Sequence, residues 1–106
     1  MNTSKYFEKH STIPVVVKNY ENGDVLNIGF MNKEALDKTL STLEVWYCSR
    51  TTHKLWKKSR ESAQQLISIY ADCDNDALLI RVKQTGNCCH KGHSTCFYKR
   101  IWPEEN

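Results

Sequence analysis

Short apolar runs separated by polar turns dominate the pattern along this chain. Residues 13–18 and 25–30 are rich in Val, Ile and Phe, and the Asn22-Gly23 dipeptide between them is typical of a tight antiparallel hairpin. Comparable runs predict four further strands, at residues 45–48, 65–71, 77–82 and 96–102. We therefore expect strands to outnumber helices.

One helix is predicted directly after the hairpin. Asn32 can cap residues 33–40, in which Leu36 and Leu40 share a face. Residues 51–56 are predicted to form a further helical turn. Because helices and strands do not alternate regularly, we expect an α+β fold: a small single domain with a curved, mainly antiparallel sheet and one or two short helices.

The length and the termini set the broad class of the protein. No repeat, low-complexity tract or linker divides the 106 residues, so we expect one domain over residues 1–106 with its core at about 13–102. So small a domain buries a limited share of its surface, and a partner subunit would help it. No run approaches the roughly 20 apolar residues of a membrane span, so no membrane partner is predicted. The N-terminus has no signal-peptide pattern, which predicts a cytoplasmic location.

The five cysteines favour metal binding over disulfides. Their odd number and the doublet Cys88-Cys89 fit a disulfide framework poorly, and the cytosol keeps thiols reduced. Cys48 lies in an apolar run and is predicted to be a small core residue.

The net charge is only mildly positive. A formal charge of +3 and a pI of about 8.6 fall short of the signature of a nucleic-acid-binding domain, so nucleic acid is an unlikely partner. Basic residues cluster near positions 54–60 and 83–100, where they are either a solvated surface or a site for a phosphorylated small molecule.

An acidic run, residues 72–76, offers hard oxygen ligands. If the strand before it continues, side chains alternate, so that Asp72, Asp74 and Asp76 point one way and Cys73 the other. Carboxylates of this kind suit Mg²⁺ or Ca²⁺. A calcium helix-loop-helix is excluded, because its sixth and twelfth positions need Gly and Glu and residues 77 and 83 are Ala and Lys. A plain polar turn remains an alternative.

Thiolates offer a second, softer ligand set. Cys89 and Cys96 flank a loop that can fold back on itself, and with Cys73 they make three zinc ligands, the open arrangement of a catalytic zinc. A closed structural site needs a fourth ligand, for which Cys88, His90 and His93 are candidates. His90 is also a candidate for proton transfer, since histidine titrates near neutral pH.

Several motifs together resemble those of one enzyme family. They are Val25-Leu26, Met31-Asn32-Lys33-Glu34-Ala35-Leu36, Ser49-Arg50, Leu55-Trp56-Lys57-Lys58, residues 72–79, Gln84-Thr85-Gly86, Cys89-His90, Gly92 and Cys96-Phe97-Tyr98. Over residues 13–100 the chain resembles the phosphoribosyl-AMP cyclohydrolases of histidine biosynthesis.

The resemblance implies a function and a metal arrangement. It implies a homodimeric hydrolase that opens the purine ring of phosphoribosyl-AMP between N1 and C6, giving the formimino-carboxamide ribotide. Zinc is implied between subunits, held by Cys73 of one chain and by Cys89 and Cys96 of the other, with Mg²⁺ on the three aspartates. Zinc then supplies the hydroxide that attacks C6, and His90 moves protons. The pyrophosphohydrolase domain that some relatives carry behind this one is expected to be absent.

The substrate-binding residues follow from the same match. They are predicted to be Ser49, Arg50, Trp56, Lys58, Arg60 and Ser62. Segment 59–63 departs from the family pattern, because both of its usual glycines are missing and side chains replace close backbone approach to a phosphate. Two alternatives stay open: a divergent relative that hydrolyses another purine nucleotide, and a zinc-stabilised nucleic-acid-binding module.

Overall fold

A computed structural model describes residues 1–104 of the chain, so the last two residues of the predicted domain lie outside the described part. The strands and the α-helix are, in chain order, β1 Ile13–Asn19, β2 Val25–Met31, α1 Lys33–Thr42, β3 Trp46–Cys48, β4 Leu55–Lys57, β5 Gln64–Ala71 and β6 Leu78–Gln84. Two short 3-10 helices lie at Ser4–Phe7 and Arg60–Ser62.

Two sheets of unequal size carry the fold. The larger has the strand order β2-β1-β6-β5, and the smaller joins β3 to β4. The pairs β1-β2, β5-β6 and β3-β4 are antiparallel, whereas the central pair β1-β6 is parallel. The predicted α+β class is confirmed. The parallel pair was not foreseen from the sequence.

The core lies where the two central strands meet the helix. Alternate residues of β1, among them Val15 and Val17, are buried, as are Ile80 and Val82 of β6. This alternation is what a strand with one buried face requires. Cys48 is also buried in the core, as predicted.

The helix begins as predicted and runs two residues further. The Asn32 side chain accepts a hydrogen bond from the Ala35 N–H at 2.8 Å, which satisfies one of the free donors of the first turn. At the other end, Leu43 adopts a left-handed conformation with φ of 62°, and its N–H donates to the Thr39 carbonyl at 2.8 Å. Left-handed residues of this kind commonly end helices.

Two sequence predictions are wrong. Residues 51–56 do not form a helical turn, because 55–57 pair with β3 as a strand. Residues 96–102 do not form a strand, because the segment attaches to the edge of β2 by separate bonds. The Cys96 N–H donates to the Leu26 carbonyl at 2.8 Å, and the Thr95 hydroxyl donates to the Val25 carbonyl at 2.6 Å. Tertiary pairing therefore overrides local propensity at both places.

Within residues 1–104, no helix has the length and apolar content to cross a membrane.

Candidate metal and substrate site

The acidic run forms a turn rather than an extension of β5. The strand ends at Ala71, and Oδ1 of Asp72 accepts hydrogen bonds from the N–H groups of Asp76 at 3.0 Å and Ala77 at 3.2 Å. Asn75 sits in the left-handed region with φ of 61°, which asparagine tolerates. We call residues 72–77 the carboxylate turn. The predicted strand alternation is wrong, since the turn itself gathers the aspartates.

The three carboxylates of this turn converge. One oxygen from each of Asp72, Asp74 and Asp76 lies within 4.8 Å of the others. The Lys9 ammonium lies 3.3 Å from the Asp74 carboxylate and 3.9 Å from that of Asp76, and donates to the Asp74 carbonyl at 3.1 Å. A protein cation therefore sits beside the cluster, and an all-oxygen donor set of this kind fits a hard divalent cation.

The carboxylates of Asp74 and Asp76 shift each other's pKa in opposite directions. A hydrogen bond with Asp76, followed by the Lys9 ammonium, holds the pKa of Asp74 below its usual range. The same bond with Asp74 raises the pKa of Asp76. Two acids this close cannot ionise independently, so the pair titrates as a unit.

Cys88, Cys89 and Cys96 lie on a loop at the far end of the larger sheet. We call residues 86–98 the cysteine loop. The Cys89 N–H donates to the His93 carbonyl at 2.9 Å, and the Cys89 sulfur accepts from the Lys91 N–H at 3.4 Å. Cys89, His90 and Cys96 line one groove of about 320 Å³. The loop thus brings two of the predicted zinc ligands to the same groove as the predicted proton carrier.

A larger cavity of about 690 Å³ opens on the other side of Cys89. Its lining includes five of the predicted site residues: Trp56, Lys58, Ser62, Cys89 and His90. The Trp56 ring stacks on the buried Tyr47 ring, with centroids 4.5 Å apart and planes 21° apart. Trp56 itself is 43% exposed, so the cavity has an aromatic wall with a fixed orientation.

Segment 59–63 is tied directly to the cysteine loop. The Ser62 hydroxyl donates to the Asn87 carbonyl at 2.6 Å, and the Lys58 ammonium donates to the Cys88 carbonyl at 3.1 Å. A Cβ on Gly86, whose φ is +55°, would lie 2.7 Å from the Glu61 carbonyl oxygen. Gly86 therefore permits the close approach of the two segments.

Three predicted substrate residues lie outside the 690 Å³ cavity. Arg60 lines a neighbouring cavity of about 550 Å³ together with Lys57 and Lys58. Within the described part of the chain its guanidinium makes no ion pair, whereas Lys57 pairs with Glu44 at 3.1 Å. Ser49 and Arg50 lie in the turn after β3, where Arg50 stacks over the Phe30 ring at 4.0 Å.

Cys73 is far from the cysteine loop in the same chain. It lies in the carboxylate turn after the C-terminal end of β5, whereas Gln64, at the other end of β5, lies 3.7 Å from the Cys88 sulfur. The strand has 8 residues, and at about 3.3 Å per residue its ends are roughly 25 Å apart. Among the described residues, the three aspartates are the one group of three or more potential ligands that converges.

Cys88 points away from solvent, into a polar cluster that sequence reasoning missed. Asn27, Tyr47 and Gln64 are 5%, 0% and 2% exposed, and Cys88 is 1% exposed. Burial raises the pKa of Cys88 to about 11, the nearby Lys58 ammonium lowers it, and the Cys96 thiol raises it further. Burial also raises the pKa of Tyr47 far above its ordinary value. The one available signal was Asn27, a polar residue within an apolar strand.

His93, a candidate fourth ligand, is engaged in packing. Its ring stacks on that of Tyr98, with centroids 3.5 Å apart and planes 11° apart. His90 is exposed on the cavity wall and is the histidine placed to face a bound molecule.

A family model and two of the known proteins similar to this chain share one description. The family model described as phosphoribosyl-AMP cyclohydrolase matches residues 27–98. A Rhodopseudomonas palustris protein (strain TIE-1) of that name is 47% identical over 98 residues, which cover 90% of this chain and 65% of the relative. One from Clostridium botulinum (strain 657 / Type Ba4) is 46% identical over 91 residues, covering 84% of this chain and 83% of the relative.

A third relative is longer. The histidine biosynthesis bifunctional protein HisIE of Lactococcus lactis subsp. lactis (strain IL1403) is 42% identical over 99 residues, covering 92% of this chain and 47% of that protein. This chain thus spans about two thirds of the Rhodopseudomonas relative and about half of the bifunctional one. From the extent and identity of these matches, the chain belongs to the phosphoribosyl-AMP cyclohydrolase family.

Proposed function

We propose that the protein hydrolyses phosphoribosyl-AMP in histidine biosynthesis, opening the purine ring between N1 and C6. One water is consumed: its oxygen is added to C6, the C6–N1 bond breaks, and N1 takes up a proton. The observation that carries the proposal is the 690 Å³ cavity, which unites Trp56, Lys58, Ser62, Cys89 and His90 in a member of this family.

The chain's own side chains suit the steps of this reaction. The exposed face of Trp56, backed by Tyr47, offers a flat surface on which a purine can stack. The exposed His90 imidazole can accept a proton from the attacking water and return one to N1, the acid–base role that histidine most often has in catalysis. Lys58 lines both cavities and Arg60 the smaller one, so a phosphate between them meets two cations.

Zinc is proposed at the boundary between two subunits of a homodimer. The thiols of Cys89 and Cys96 share a groove and are the soft donors that zinc prefers, while Cys73 follows the end of the 8-residue strand β5 that is remote from the cysteine loop. The third ligand then comes from the partner's Cys73. Zinc bound in this way lowers the pKa of a coordinated water and so supplies the nucleophile at neutral pH.

Mg²⁺ is proposed on the carboxylate turn. Asp72, Asp74 and Asp76 already converge within 4.8 Å and attract a cationic side chain. Cys73 belongs to the same turn, so this cation and the zinc would lie close together. A divalent cation there would neutralise charge near the substrate phosphate and hold the turn in shape.

The direct test is turnover of phosphoribosyl-AMP, followed by the absorbance change on ring opening. We expect turnover that a chelator abolishes and zinc restores, at about one zinc per chain, the stoichiometry of a three-thiolate site. His90→Asn should lower kcat and leave zinc content unchanged. A zinc-loaded wild-type protein without turnover would contradict the proposal.

Mixing two inactive variants tests the shared zinc site. Cys73→Ser and Cys89→Ser should each be inactive alone. After subunit exchange, each mixed dimer regains one intact site of two, so an equal mixture should recover about a quarter of wild-type activity. Exchanged dimers that stay inactive would rule out a site divided between subunits.

A second candidate function is hydrolysis of a different purine nucleotide, favoured by segment 59–63. Its glycines are absent and Glu61 places a carboxylate on the cavity wall. The Arg60→Ala variant distinguishes hydrolysis of phosphoribosyl-AMP from hydrolysis of a different purine nucleotide. If Arg60 grips the phosphate of phosphoribosyl-AMP, KM should rise roughly tenfold, as for a lost charge-assisted bond, with zinc content unchanged.

The control for Arg60 is Lys54→Ala, an exposed lysine outside both cavities. It should leave KM unchanged. Wild-type KM in Arg60→Ala, together with faster turnover of AMP than of phosphoribosyl-AMP by the unmodified protein, would favour the second candidate.

A further inference from the structure

A closed ring of hydrogen bonds lies directly beneath the cysteine loop. The Asn27 amide nitrogen donates to the Tyr47 hydroxyl at 3.0 Å, the Tyr47 hydroxyl donates to the Gln64 carbonyl oxygen, and the Gln64 amide nitrogen donates to the Asn27 carbonyl oxygen at 2.9 Å. We call these three residues the polar ring. Each of the three residues donates one of these bonds and accepts another. Rotating the side-chain amide of Asn27 or of Gln64 by half a turn would therefore break two bonds.

Such a cluster is costly unless each of its groups has a partner. All three side chains are at most 5% exposed, and a buried polar atom without a partner is strongly unfavourable. A second bond from the Gln64 amide nitrogen reaches the Gln84 side chain at 3.0 Å. The ring is thus fully paired and has one arrangement, and it joins β2, β3 and the start of β5.

Cys88 attaches the cysteine loop to this ring. Its sulfur lies 3.4 Å from the Asn27 carbonyl oxygen and 3.7 Å from the Gln64 amide nitrogen. The neighbouring Cys89 lines both the groove and the cavity, and its sulfur accepts a bond from within its own loop. One cysteine of the doublet is therefore engaged with the interior, and the other is at the site.

A small residue makes room for the ring. A Cβ on Gly29 would overlap the Cδ1 and Cε1 atoms of the Tyr47 ring, so only glycine at this position allows Tyr47 to lie where it does. The other face of Tyr47 supports Trp56 on the cavity wall. The same tyrosine therefore connects the aromatic wall to the cysteine loop.

We propose that the polar ring is a positioning device for the metal site, in which Cys88 is an anchor and not a metal ligand. Asn27, Tyr47 and Gln64 hold Cys88, and Cys88 fixes the direction in which Cys89 presents its sulfur. This inference depends on one part of the proposed function, namely that Cys89 and Cys96 bind a metal. It assigns roles to four buried residues that the proposed reaction steps do not use.

Titration of the intact, metal-free protein with Co²⁺, a spectroscopic substitute for the proposed zinc, tests the anchor role of Cys88. The cobalt–thiolate charge-transfer band counts the sulfur ligands, and titration gives the dissociation constant. Cys88→Ala should keep the wild-type band intensity but weaken Co²⁺ binding at least tenfold, in line with the loss of groups that orient metal ligands. Cys88→Ser should restore most of the affinity, because its hydroxyl can donate to Asn27. A drop in band intensity in both variants would make Cys88 a ligand and overturn the inference.

Tyr47→Phe tests the ring itself. It removes one hydroxyl, keeps the stacking on Trp56, and leaves Asn27 and Gln64 each without one partner. We expect Co²⁺ affinity and kcat to fall about tenfold or more, with KM nearly unchanged.

The matched control is Thr3→Val. Thr3 is equally buried, and its hydroxyl donates to Asp37 at 2.6 Å, away from the cysteine loop. It should lower thermal stability without changing Co²⁺ binding. Equal Co²⁺ affinity in Tyr47→Phe and wild type would overturn the positioning role. Absence of a cobalt–thiolate band in the wild-type protein itself would instead contradict the metal site of the proposed function, and the inference with it.

Discussion

The carboxylate turn and the cysteine loop both present side chains that suit metal ions, yet they are built in opposite ways. The carboxylate turn is exposed and closed by hydrogen bonds that span four and five residues. The cysteine loop is held by contacts with β2 at separations of 61 and 70 residues. A turn of the first kind depends mainly on residues that are close together along the chain. A loop of the second kind takes its shape only after the sheet has formed.

The two segments differ in what each would require of a bound metal. Hard oxygen ligands tolerate a flexible, solvated setting, since cations such as Mg²⁺ retain water ligands. Soft thiolates in a catalytic site need a defined direction, which in our proposal the interior would supply through Cys88 and the polar ring. Substitutions in one segment should therefore change metal binding there and leave the other segment unchanged.

Cys96→Ser should have the largest effect. It removes a proposed zinc ligand that is exposed, so the fold should persist while zinc binding and turnover fall by more than about 100-fold, beyond the range seen when a supporting residue is lost. Zinc content by atomic absorption and Mg²⁺ binding by calorimetry check this. Loss of Mg²⁺ binding in the same variant would show that the two sites are not separate.

Gly29→Ala should disturb the cysteine loop from a distance. The added methyl group overlaps the Tyr47 ring, and overpacking of this kind costs about 1–3 kcal/mol of unfolding free energy. Urea denaturation measures the loss, and we expect Co²⁺ binding to weaken while Mg²⁺ binding stays unchanged. The control is Ile28→Ala, because Ile28 is the neighbouring residue in β2 and is 52% exposed. This variant should leave the binding of both metals unchanged.

Asp74→Asn should affect the carboxylate turn alone. It removes one charge of the three that converge there, so the Mg²⁺ concentration for half-maximal activity should rise roughly tenfold, because ligand charge tunes affinity for hard cations. Zinc content should stay at the wild-type value. Zinc loss with an unchanged Mg²⁺ requirement would reverse the assignment of the two sites.

Lys9→Met should have the smallest effect and the opposite sign. The Lys9 ammonium occupies the position beside Asp74 and Asp76 that a cation would take, so removing it should tighten Mg²⁺ binding by roughly two- to fivefold, as expected for exposed ion pairs. Calorimetric titration with Mg²⁺ measures this. Lys5→Met is the control, since the Lys5 ammonium lies 5.4 Å from the centre of the Tyr6 ring. Weaker Mg²⁺ binding in Lys9→Met would contradict the idea that the Lys9 ammonium and Mg²⁺ compete for the same carboxylates.

The sequence alone determined the features that depend on neighbours along the chain. The Asn22-Gly23 turn predicted the first hairpin, Asn32 predicted the start of α1, and the apolar run at residues 13–18 predicted β1. The motifs also indicated the family that the comparisons show. Each of these depends on hydrogen bonds or spacings within a few residues, which the amino-acid order specifies directly.

Only the tertiary structure decided the features that depend on distant segments. These include the parallel pairing of β1 with β6, the strand at 55–57, and the side of the fold on which Arg60 lies. The doublet Cys88-Cys89 is the clearest case. Two identical side chains in sequence receive different roles because Asn27, 61 residues away, reaches one of them. Spacing along the chain carries no information about such a contact, since it exists only once β2, β3 and β5 have assembled around it.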